Sequence, residues 1–449
     1  MKKCLTFFAV FFVTAATAQQ WQSLFNGKDL SGWKQLGGAA QYKVNNGEII
    51  GVSVANTPNS FLVTEKEYGD FIFETDIKLD DTVNSGIQFR SESMADYMSG
   101  RVHGYQMEVD PSARKWSGGI YDEARRGWLF PMELNEKNKI DLKTGQWYHY
   151  RIECIGTDIK TFINGKFMGH VIDDLTPKGF FALQVHSVGN NAAQAGRNIH
   201  WKNIRIQTTN LKSTPVDPSY EVADYISNFI SPLEAKQGYK LLWDGKTTAG
   251  WRGAYKENFP AKGWEIKDGE LHVLASTGAE SQNGGDIVTT GEYGAFVLQF
   301  DFKISDSANS GVKYFVTEKE NNGGSAIGLE YQILDDAKHP DAKLGSISNR
   351  TQASLYDLIP SIKHPNAKKS IGEWNRGMVI VYPDNRVEHW LNGIRVLEYQ
   401  RGTQYYYALV AKSKYANWSN FGMAPKGHIL LQDHGNHVVF KNIKIKELK

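Results

Sequence analysis

Hydrophobic and polar residues alternate with a period of two in many short segments of this chain. Between residues 71 and 80, phenylalanine, isoleucine and leucine fall on one face, opposite Glu74, Asp76 and Lys78. Residues 298–304 repeat the pattern. Such alternation is typical of β-strands that bury one face. No long 3.6-residue apolar period interrupts these segments, so the pattern predicts an all-β fold.

Turn dipeptides separate the alternating segments at regular intervals. Asn164-Gly165 and Asn392-Gly393 each lie between two strand-like runs, and so do Asn46-Gly47 and Asp268-Gly269. Asparagine, aspartate and glycine tolerate the positive φ angles of a type I′ turn, so each pair predicts a two-residue β-hairpin. Many short strands joined by tight turns favour a two-sheet sandwich.

The sequence contains an internal repeat, and the same motifs occur in the same order in both copies. The spacing between equivalent motifs grows along the chain, so the copies differ by loop insertions. A repeat of this length indicates a domain duplication and not a solenoid. The matched segments include Leu24–Lys28 with Leu242–Lys246, Gly32-Trp33 with Gly250-Trp251, Asn84–Gly86 with Asn309–Gly311, Gln184–His186 with Gln432–His434, and Lys202–Ile204 with Lys441–Ile443.

The repeat sets the expected domain boundaries. Copy one is predicted at residues 19–207, a linker at 208–238 and copy two at 239–449. The linker begins with Ser, Thr and Pro residues, and Ser231-Pro232-Leu233-Glu234 reads as a capping box. One short helix is therefore expected just before copy two.

Residues 1–18 resemble a secretory leader. Lys2 and Lys3 precede a short apolar run that ends in Ala16-Thr17-Ala18, a small-residue cleavage pattern. We expect cleavage after Ala18 and export to the periplasm or the outside. Cys4 lies before the apolar run, so no lipid anchor is predicted. Removal of the leader leaves Cys154 as the one thiol, which we expect to be buried.

The composition of the chain limits the classes of partner that it is expected to bind. The 51 Lys and Arg residues nearly balance the 49 Asp and Glu residues among 449, which gives no excess charge for nucleic acid or an anionic membrane. The apolar run of the leader is too short to span a bilayer. The 12 Trp, 21 Tyr and 22 Phe residues suit sheet cores and surfaces that stack on sugar rings. A neutral carbohydrate is the expected partner.

A set of ordered motifs resembles a known family, once in each copy. The set comprises Leu24–Lys28 through Gly32-Trp33, the Asn-Ser-Gly strands, residues 328–335, Leu355-Tyr356-Asp357 and Leu431–Gly435. It is similar to the 3-keto-disaccharide hydrolase family. The resemblance implies two tandem concanavalin A-like jelly-roll β-sandwiches, each with a concave sugar-binding sheet. It also implies action on glycosides whose sugar is oxidised to a ketone at C3.

One polar strand in each copy is the best candidate for chemistry. Gln106 and Glu108 alternate with apolar residues in copy one, as Glu330 and Gln332 do in copy two. Each copy thus keeps one carboxylate and one amide, two residues apart, in opposite order. The strand either lines the floor of a binding cleft or forms a solvated outer face.

Further candidates surround this strand. Arg90 and Lys313 each supply one cation on the neighbouring strand, and His186 and His434 could transfer protons near neutral pH. The expected substrate contacts also include Tyr121 and Gln184 in copy one and Tyr356, Asn392 and Gln432 in copy two. Without any function, the two cations could equally form plain surface ion pairs, and the two histidines could be hydrogen-bonded at a sheet edge.

The chemistry of a 3-keto sugar suits this set better than ordinary glycoside hydrolysis. An ordinary glycosidase needs two carboxylates, and each polar strand supplies one. A 3-keto sugar needs one base to remove the acidified C2 proton and one donor or cation to stabilise the enolate. The candidate bases are Glu108 or His186 in copy one and Glu330 or His434 in copy two. The candidate stabilisers are Arg90 with Tyr121, and Lys313 with Tyr356.

Two alternatives remain open at this stage. The protein could be a lectin-like glycan binder, with Trp116, Trp128 and Trp418 as sugar platforms, or one copy could bind and the other cleave. The sequence requires no cofactor, although a divalent cation could be held by Asp335 and Asp336.

Overall fold

The computed structural model describes residues 21–276, 280–319, 326–418 and 420–449. The expected leader, with Cys4, lies outside the described residues. Within them, the chain forms two tandem β-sandwiches and contains only short helices, so the predicted fold class is confirmed. None of these helices combines the length and apolar character needed to cross a membrane.

Copy one is built from two sheets. Its strands are β1 Gln22–Ser23, β2 Trp33–Gly37, β3 Gln41–Asn45, β4 Glu48–Val52, β5 Ser60–Thr64, β6 Phe71–Leu79, β7 Ser85–Glu92, β8 His103–Val109, β9 Ile120–Glu123, β10 Gly127–Phe130, β11 Trp147–Ile155, β12 Asp158–Ile163, β13 Lys166–Ile172, β14 Phe180–Val185 and β15 Asn198–Gln207. The seven-stranded sheet has the order β10-β9-β8-β7-β14-β5-β2. The nine-stranded sheet has the order β16-β13-β12-β11-β6-β15-β4-β3, with β1 beside β15; β16, Ala223–Asp224, comes from the linker. Two 3₁₀ helices occupy Met132–Asn138 and Ala192–Gln194.

Copy two repeats this plan with fewer strands. The linker helix α1 Pro232–Gln237 precedes it. Its own elements are β17 Tyr239–Leu241, β18 Trp251–Gly253, β19 Trp264–Lys267, β20 Glu270–Val273, β21 Ile287–Thr289, β22 Phe296–Ile304, β23 Asn309–Val316, β24 Leu329–Leu334, β25 Asn375–Val381, β26 Arg386–Leu391, β27 Ile394–Gln400, α2 Gln404–Ala411, β28 His428–Leu431 and β29 Val438–Glu447. The larger sheet has the order β19-β20-β29-β22-β25-β26-β27, with β17 beside β29, and the smaller has the order β18-β21-β28-β23-β24. Two 3₁₀ helices occupy Pro340–Lys343 and Pro365–Ala367.

The core of each copy lies between its two sheets, where the alternating apolar residues meet. In copy one, Phe73 of β6 stacks on Phe181 of β14 with ring centroids 4.5 Å apart. In copy two, Phe300 of β22 meets Tyr331 of β24 edge to face at 5.2 Å. Met107 of β8 and Tyr331 of β24 are in the core, so the residues on either side of them point outward, because side chains alternate along a strand. That alternation places the polar strands on the outer face of the smaller sheet.

The predicted hairpins and the linker helix are confirmed. Asn164 and Asn392 have φ values of 50° and 51°, as a type I′ turn requires. Ser231 and Glu234 form the reciprocal hydrogen bonds of a capping box at the start of α1. Helix α2 was not predicted; it begins after Thr403, whose hydroxyl accepts a hydrogen bond from the Tyr406 backbone N–H.

The two copies pack against each other through the linker. Arg376 of copy two donates a hydrogen bond to the Asp224 carbonyl, and its guanidinium lies 4.2 Å from the centre of the Tyr225 ring. Lys444 binds Glu234 at 2.9 Å and Asp224 at 3.4 Å, and all three side chains are buried. Residues 208–238 are therefore more than a connection between the two copies, because they form strand β16 and part of the contact between the copies.

Candidate active site

The outer face of the seven-stranded sheet in copy one contains a cavity of about 490 Å³. Five of the residues that the sequence proposes for copy one line this cavity: Gln106, Glu108, Tyr121, Gln184 and His186. It is also lined by Asn59, Asn84, Arg101, Asp110, Ser112, Arg114, Glu123, Trp128 and Asn366. The last of these belongs to copy two.

Glu108 is a buried carboxyl group held by amide donors. Asn84 donates to Oε1 at 2.6 Å, and Gln106 donates to Oε2 at 2.9 Å. Burial raises the pKa of Glu108 to about 7, and the hydrogen bond from Asn84 and the charge of Arg114 only partly oppose this rise. A carboxyl group with this pKa exchanges its proton near neutral pH, which suits a general base.

A chain of hydrogen bonds that starts on strand β7 fixes the position of the Glu108 carboxyl group. Ser91 donates to Gln88 at 2.8 Å, and Gln88 donates to Gln106 at 2.7 Å. Gln106 in turn donates to Glu108, so each amide has one orientation. Gly86 lies opposite Glu108 across the β7–β8 pair, and a Cβ there would come within 2.3 Å of the Gln106 side chain. Glycine is therefore needed for Gln106 to lie flat on the sheet.

The cation beside Glu108 in this cavity is Arg114, at the rim. Its Nε donates to Asp110 at 2.8 Å, and its Nη2 lies 3.5 Å from Glu108 Oε1. The pKa of Asp110 is lowered, because hydrogen bonds from Ser112 and Arg114 outweigh its burial. The guanidinium also lies 4.3 Å from the centre of the Trp116 ring. Asp110 thus stays ionised and orients Arg114, whereas Glu108 is partly protonated near pH 7.

Gln184 has a buried amide that lacks a partner in the described part of the chain. Its side chain is fully buried and lines the cavity, yet neither Oε1 nor Nε2 makes a hydrogen bond there. A buried polar group without a partner is costly, so such a group in a cavity wall indicates a ligand or water that satisfies it. The backbone of Gln184 is fixed by Ser85, whose hydroxyl donates to the Gln184 carbonyl at 2.7 Å.

His186 and Tyr121 complete the polar lining. His186 Nδ1 lies 2.7 Å from the Ser187 carbonyl, which places the proton on Nδ1 and leaves Nε2 as the acceptor. Tyr121 packs against Trp128 with ring centroids 5.0 Å apart. Burial raises the pKa of Tyr121 to about 12, so its hydroxyl remains a donor.

Strand register confirms which residues of copy two correspond to these. Gly86 pairs with Glu108, and Gly311 pairs with Gln332. Gln88 pairs with Gln106, whereas at the equivalent position Lys313 pairs with Glu330. The Ser310 hydroxyl donates to the Gln432 carbonyl at 2.9 Å, as that of Ser85 does to Gln184. The frame is the same, but a lysine stands where copy one has a glutamine.

Lys313 changes the electrostatics of copy two. Its ammonium group lies 3.7 Å from Glu280 and 4.0 Å from Asp286, and its side chain is only 5% exposed. Burial lowers the pKa of Lys313, but Glu330, Asp286 and Glu280 outweigh this and raise it overall. Burial raises the pKa of Glu330 to about 7, against the charges of Lys313 and Lys414. Gln432 donates to Glu280 at 2.8 Å, so half of its amide is satisfied, while Gln332 Nε2 has no partner among the described residues.

An aromatic segment after α2 packs beside this face. Tyr415 is buried and stacks on Phe421 with ring centroids 4.0 Å apart. Burial raises the pKa of Tyr415, and the charges of Glu330, Tyr356 and Glu280 add to this rise. Lys414 Nζ lies 4.3 Å from the centre of the Tyr356 ring. Tyr356 therefore lies near Glu330, and its backbone N–H donates a hydrogen bond to the Glu330 carbonyl at 3.1 Å.

The other copy-two candidates lie in loop structure. His434 packs against His339 at 5.9 Å between ring centroids. Asp335 accepts hydrogen bonds from the backbone of Ser307 and Ala337 at 2.9 and 3.0 Å. Asp336 accepts one from Gln352 N and lies 3.2 Å from Lys363 Nζ. These carboxylates stabilise turns, and the described residues contain no group of three or more His, Cys, Asp or Glu side chains that could hold a metal ion.

Two predicted substrate contacts lie away from these faces. Arg90 sits at a bulge with φ 44°, and its side chain binds the carbonyls of Gly69 and Gly156 and the Asp70 carboxylate. The bulge reverses the expected alternation, which is why the cation points away from the cavity. Asn392 lies in the turn of a hairpin, and its Nδ2 donates to the Ala367 carbonyl of the 3₁₀ helix Pro365–Ala367 at 2.7 Å.

Sequence reasoning missed several lining residues because they come from loops. Arg114 stands in for Arg90, and its one signal was its position four residues after Asp110. Asn84 belongs to the repeated Asn-Ser-Gly motif, so its recurrence as Asn309 could have indicated a role. Nothing in the sequence of copy one could indicate that Asn366 of copy two reaches this cavity.

Two comparisons with known proteins identify relatives of this chain. The sequence model of the 3-keto-alpha-glucoside-1,2-lyase-like domain matches residues 20–207 and again residues 238–446. A protein named 3-keto-disaccharide hydrolase, from Bacteroides thetaiotaomicron strain VPI-5482, is 39% identical over 238 residues, or 48% of this chain and 80% of that protein.

The solved structures to which this chain is similar include two described as putative glycosyl hydrolases, both from Parabacteroides distasonis ATCC 8503. The first is 31% identical and covers 50% of this chain and 100% of its own, with a TM-score of 0.43. The second is 24% identical and covers 44% of this chain and 99% of its own, with a TM-score of 0.33.

The predicted family is therefore confirmed, and with it the prediction of an enzyme of the glycoside hydrolase class. Both family matches follow the internal repeat, and together they span most of the sequence. The chain belongs to the family of 3-keto-alpha-glucoside-1,2-lyase-like domains and carries two tandem copies of that domain.

Proposed function

We propose that this protein cleaves 3-keto glycosides or disaccharides and that the reaction takes place in the copy-one cavity. The observation that carries the proposal is Glu108, a buried carboxyl group with a pKa of about 7 that lines an open cavity beside the unpartnered amide of Gln184. The name of the relative from Bacteroides thetaiotaomicron supports the substrate class. Export of the chain, as its first 18 residues suggest, would bring the enzyme to such substrates.

The chemistry needs one base and one site for an enolate. The Glu108 carboxylate removes the proton from C2, and the C–H electrons form the C2=C3 bond of an enolate whose negative charge rests on the C3 oxygen. Arg114 and the hydroxyl of Tyr121 stabilise that oxygen. The electrons then return to form the C3=O and C1=C2 bonds as the C1–O bond breaks. Transfer of the proton, directly or through water, to the leaving oxygen regenerates the carboxylate.

Water can complete the hydrolysis. Addition of water across the C1=C2 bond gives the free 3-keto sugar, with hydroxyl at C1 and hydrogen at C2. The enzyme then acts as a hydrolase, whereas release before this step makes it a lyase. The amides of Gln106 and Gln184 hold sugar hydroxyl groups in either case.

The pKa of Glu108 sets the expected pH dependence. Since the base must be ionised, kcat/KM should rise as the pH increases through about 7 and then level off. Below that pH it should fall about tenfold per pH unit. Glu330 has a similar pKa, so a Glu330→Gln variant that keeps the same profile would assign the titration to Glu108.

The test is a matched pair of isosteric variants. A 3-keto disaccharide and its unoxidised parent are incubated with Glu108→Gln and Glu330→Gln, and the released sugar is measured. We expect release from the 3-keto compound alone, a loss of at least ~100-fold in kcat for Glu108→Gln, and near wild-type turnover for Glu330→Gln. His186→Gln is the third variant.

Each outcome decides something different. Full activity of Glu108→Gln with loss in His186→Gln would assign the base to His186. Loss only in Glu330→Gln would move the reaction to copy two. Wild-type protein that binds both sugars and releases nothing would favour the lectin-like alternative.

A further inference from the structure

The copy-one cavity continues into a groove along the junction of the two copies. The next stretch, of about 490 Å³, shares Arg101 and Tyr121 with the cavity. A third stretch, of about 250 Å³, shares Arg126, Lys369 and Glu373 with the second and ends beside Trp374. We call residues 101, 121, 125–127 and 368–370 the junction groove. The cavity and the groove together exceed the space that one sugar ring needs.

Both copies build the groove, and its lining is strongly basic. Copy one contributes Arg101, Arg125 and Arg126, and copy two contributes Lys368 and Lys369. Glu373 is the one acidic side chain among the residues that line this stretch. The net charge of the whole protein is only +2, so this concentration of cations is local.

The arginines and the lysines differ in their partners. Arg126 binds Asp122 at 2.6 Å, and Arg125 donates to the same carboxylate at 2.7 Å. In the part of the chain that the structure describes, the side chains of Lys368 and Lys369 form neither an ion pair nor a hydrogen bond. Burial lowers the pKa of Lys369 to about 8, although Asp301 and Glu373 oppose this, so it is still largely charged at pH 7. A half-buried cation without a partner favours an anion beside it.

The segment that carries these lysines is anchored within copy two and lies beside copy one. Asn392 donates to the Ala367 carbonyl at 2.7 Å, and the Ile362 N–H donates to the Val396 carbonyl at 2.8 Å. The His364 ring lies 5.9 Å from that of Trp116, and Asn366 lines the catalytic cavity itself. Asn392 therefore affects the site from a distance, by fixing the segment that closes it.

We propose that the junction groove binds the leaving group of the substrate, that copy two supplies its lysine wall, and that this leaving group carries a carboxylate or a sulfate ester. The proposal rests on the function proposed above, since it places the 3-keto sugar over Glu108 and the remainder of the glycoside along the groove. It gives the second copy a role in the reaction without chemistry of its own.

The test compares substrates that differ only in charge. One is a 3-keto disaccharide whose leaving sugar is glucose, the second has a carboxylate at C6 of that sugar, and the third is the methyl ester of the second. A fourth carries a sulfate ester at the same carbon. We expect a KM about tenfold lower for the charged substrates than for the neutral pair at low ionic strength, and a difference that shrinks as salt is added.

The groove variant combines Lys368→Gln with Lys369→Gln in one protein. The matched control combines Lys412→Gln with Lys426→Gln, which replace two exposed lysines of copy two. The groove variant should lose the preference for charged substrates and keep the KM of the neutral ones, while the control keeps both. Calorimetry with a Glu108→Gln background measures the same preference as a difference in Kd, without turnover.

The outcomes separate the two proposals. Equal KM values for charged and neutral substrates, or an equal loss for both in the groove variant, would overturn the anionic leaving group while cleavage itself stands. A preference for carboxylate alone or for sulfate alone would decide between the two groups. Absence of cleavage of every 3-keto substrate would overturn the proposed function.

Discussion

The two copies share one frame and differ in where they put a positive charge. In copy one the cation is Arg114, on a loop at the rim, with its side chain 28% exposed. In copy two it is Lys313, on the central strand β23, with its side chain 5% exposed. The serine, glycine and glutamine that frame the face keep the same register in both. Duplication therefore preserved the backbone geometry while the charges were rearranged.

The position of the cation decides what the face can do. Arg114 is held by Asp110 and lines the cavity, and Glu108 keeps amide donors as its main partners. Lys313 lies within the protein among Glu330, Glu280 and Asp286, so these carboxylates neutralise it internally. A carboxylate paired in this way with a buried lysine is less available to a substrate, even though the pKa of Glu330 is similar to that of Glu108. We interpret copy one as the reacting copy and copy two as its structural partner.

The largest expected effect comes from removing the central lysine. Lys313→Met should destabilise copy two by about 3–5 kcal/mol, because it leaves three buried or half-buried carboxylates without their cation. Gln88→Met, at the same register position of copy one, should cost only about 1–3 kcal/mol, since neutral hydrogen bonds are lost. Urea unfolding followed by fluorescence measures both.

The order of these two values is the critical result. A smaller loss for Lys313→Met than for Gln88→Met would show that Lys313 is not the electrostatic centre of copy two. Below its unfolding transition, Lys313→Met should still turn over substrate if copy one is the reacting copy.

The two glycines give a second, smaller comparison. A Cβ at Gly86 would come within 2.3 Å of Gln106, and one at Gly311 would come within 2.3 Å of Glu330. Gly86→Ala displaces the amide that orients Glu108, so kcat/KM should fall about tenfold. Gly311→Ala should leave kcat/KM within a factor of two. Equal losses in both variants would contradict the assignment of the reaction to copy one.

The smallest effect is expected from replacing the thiol of Cys154. Cys154 pairs with Phe71, and the equivalent residue in copy two is Val381, which pairs with Phe296. Cys154 is fully buried, and burial raises its pKa to about 12. Cys154→Val should change the free energy of unfolding by less than about 1.5 kcal/mol and leave turnover unchanged. A loss of turnover would indicate that the thiol takes part in the reaction.

The sequence predicted the parts of the site that follow strand alternation. Glu108 and Gln106 are on one face because their neighbours Met107 and Val109 are in the core, and period two is enough to derive that. Gln184 and His186 could be found because the motif occurs twice. The side chain of Arg90 lies outside the cavity, because the residue sits at a bulge with a positive φ that cannot be inferred from alternation. The groove could not be predicted at all, since it depends on how the copies pack.

The most direct test of the central claim is hydrogen exchange at C2 of the bound sugar. A 3-keto disaccharide with deuterium at C2 is mixed with each variant in ordinary water, and deuterium loss is followed by NMR together with release of the leaving sugar. We expect a primary isotope effect on release by the wild-type enzyme and by Glu330→Gln, and neither deuterium loss nor release with Glu108→Gln. Release by Glu108→Gln at the wild-type rate, or release without deuterium loss, would contradict abstraction of the C2 proton by Glu108.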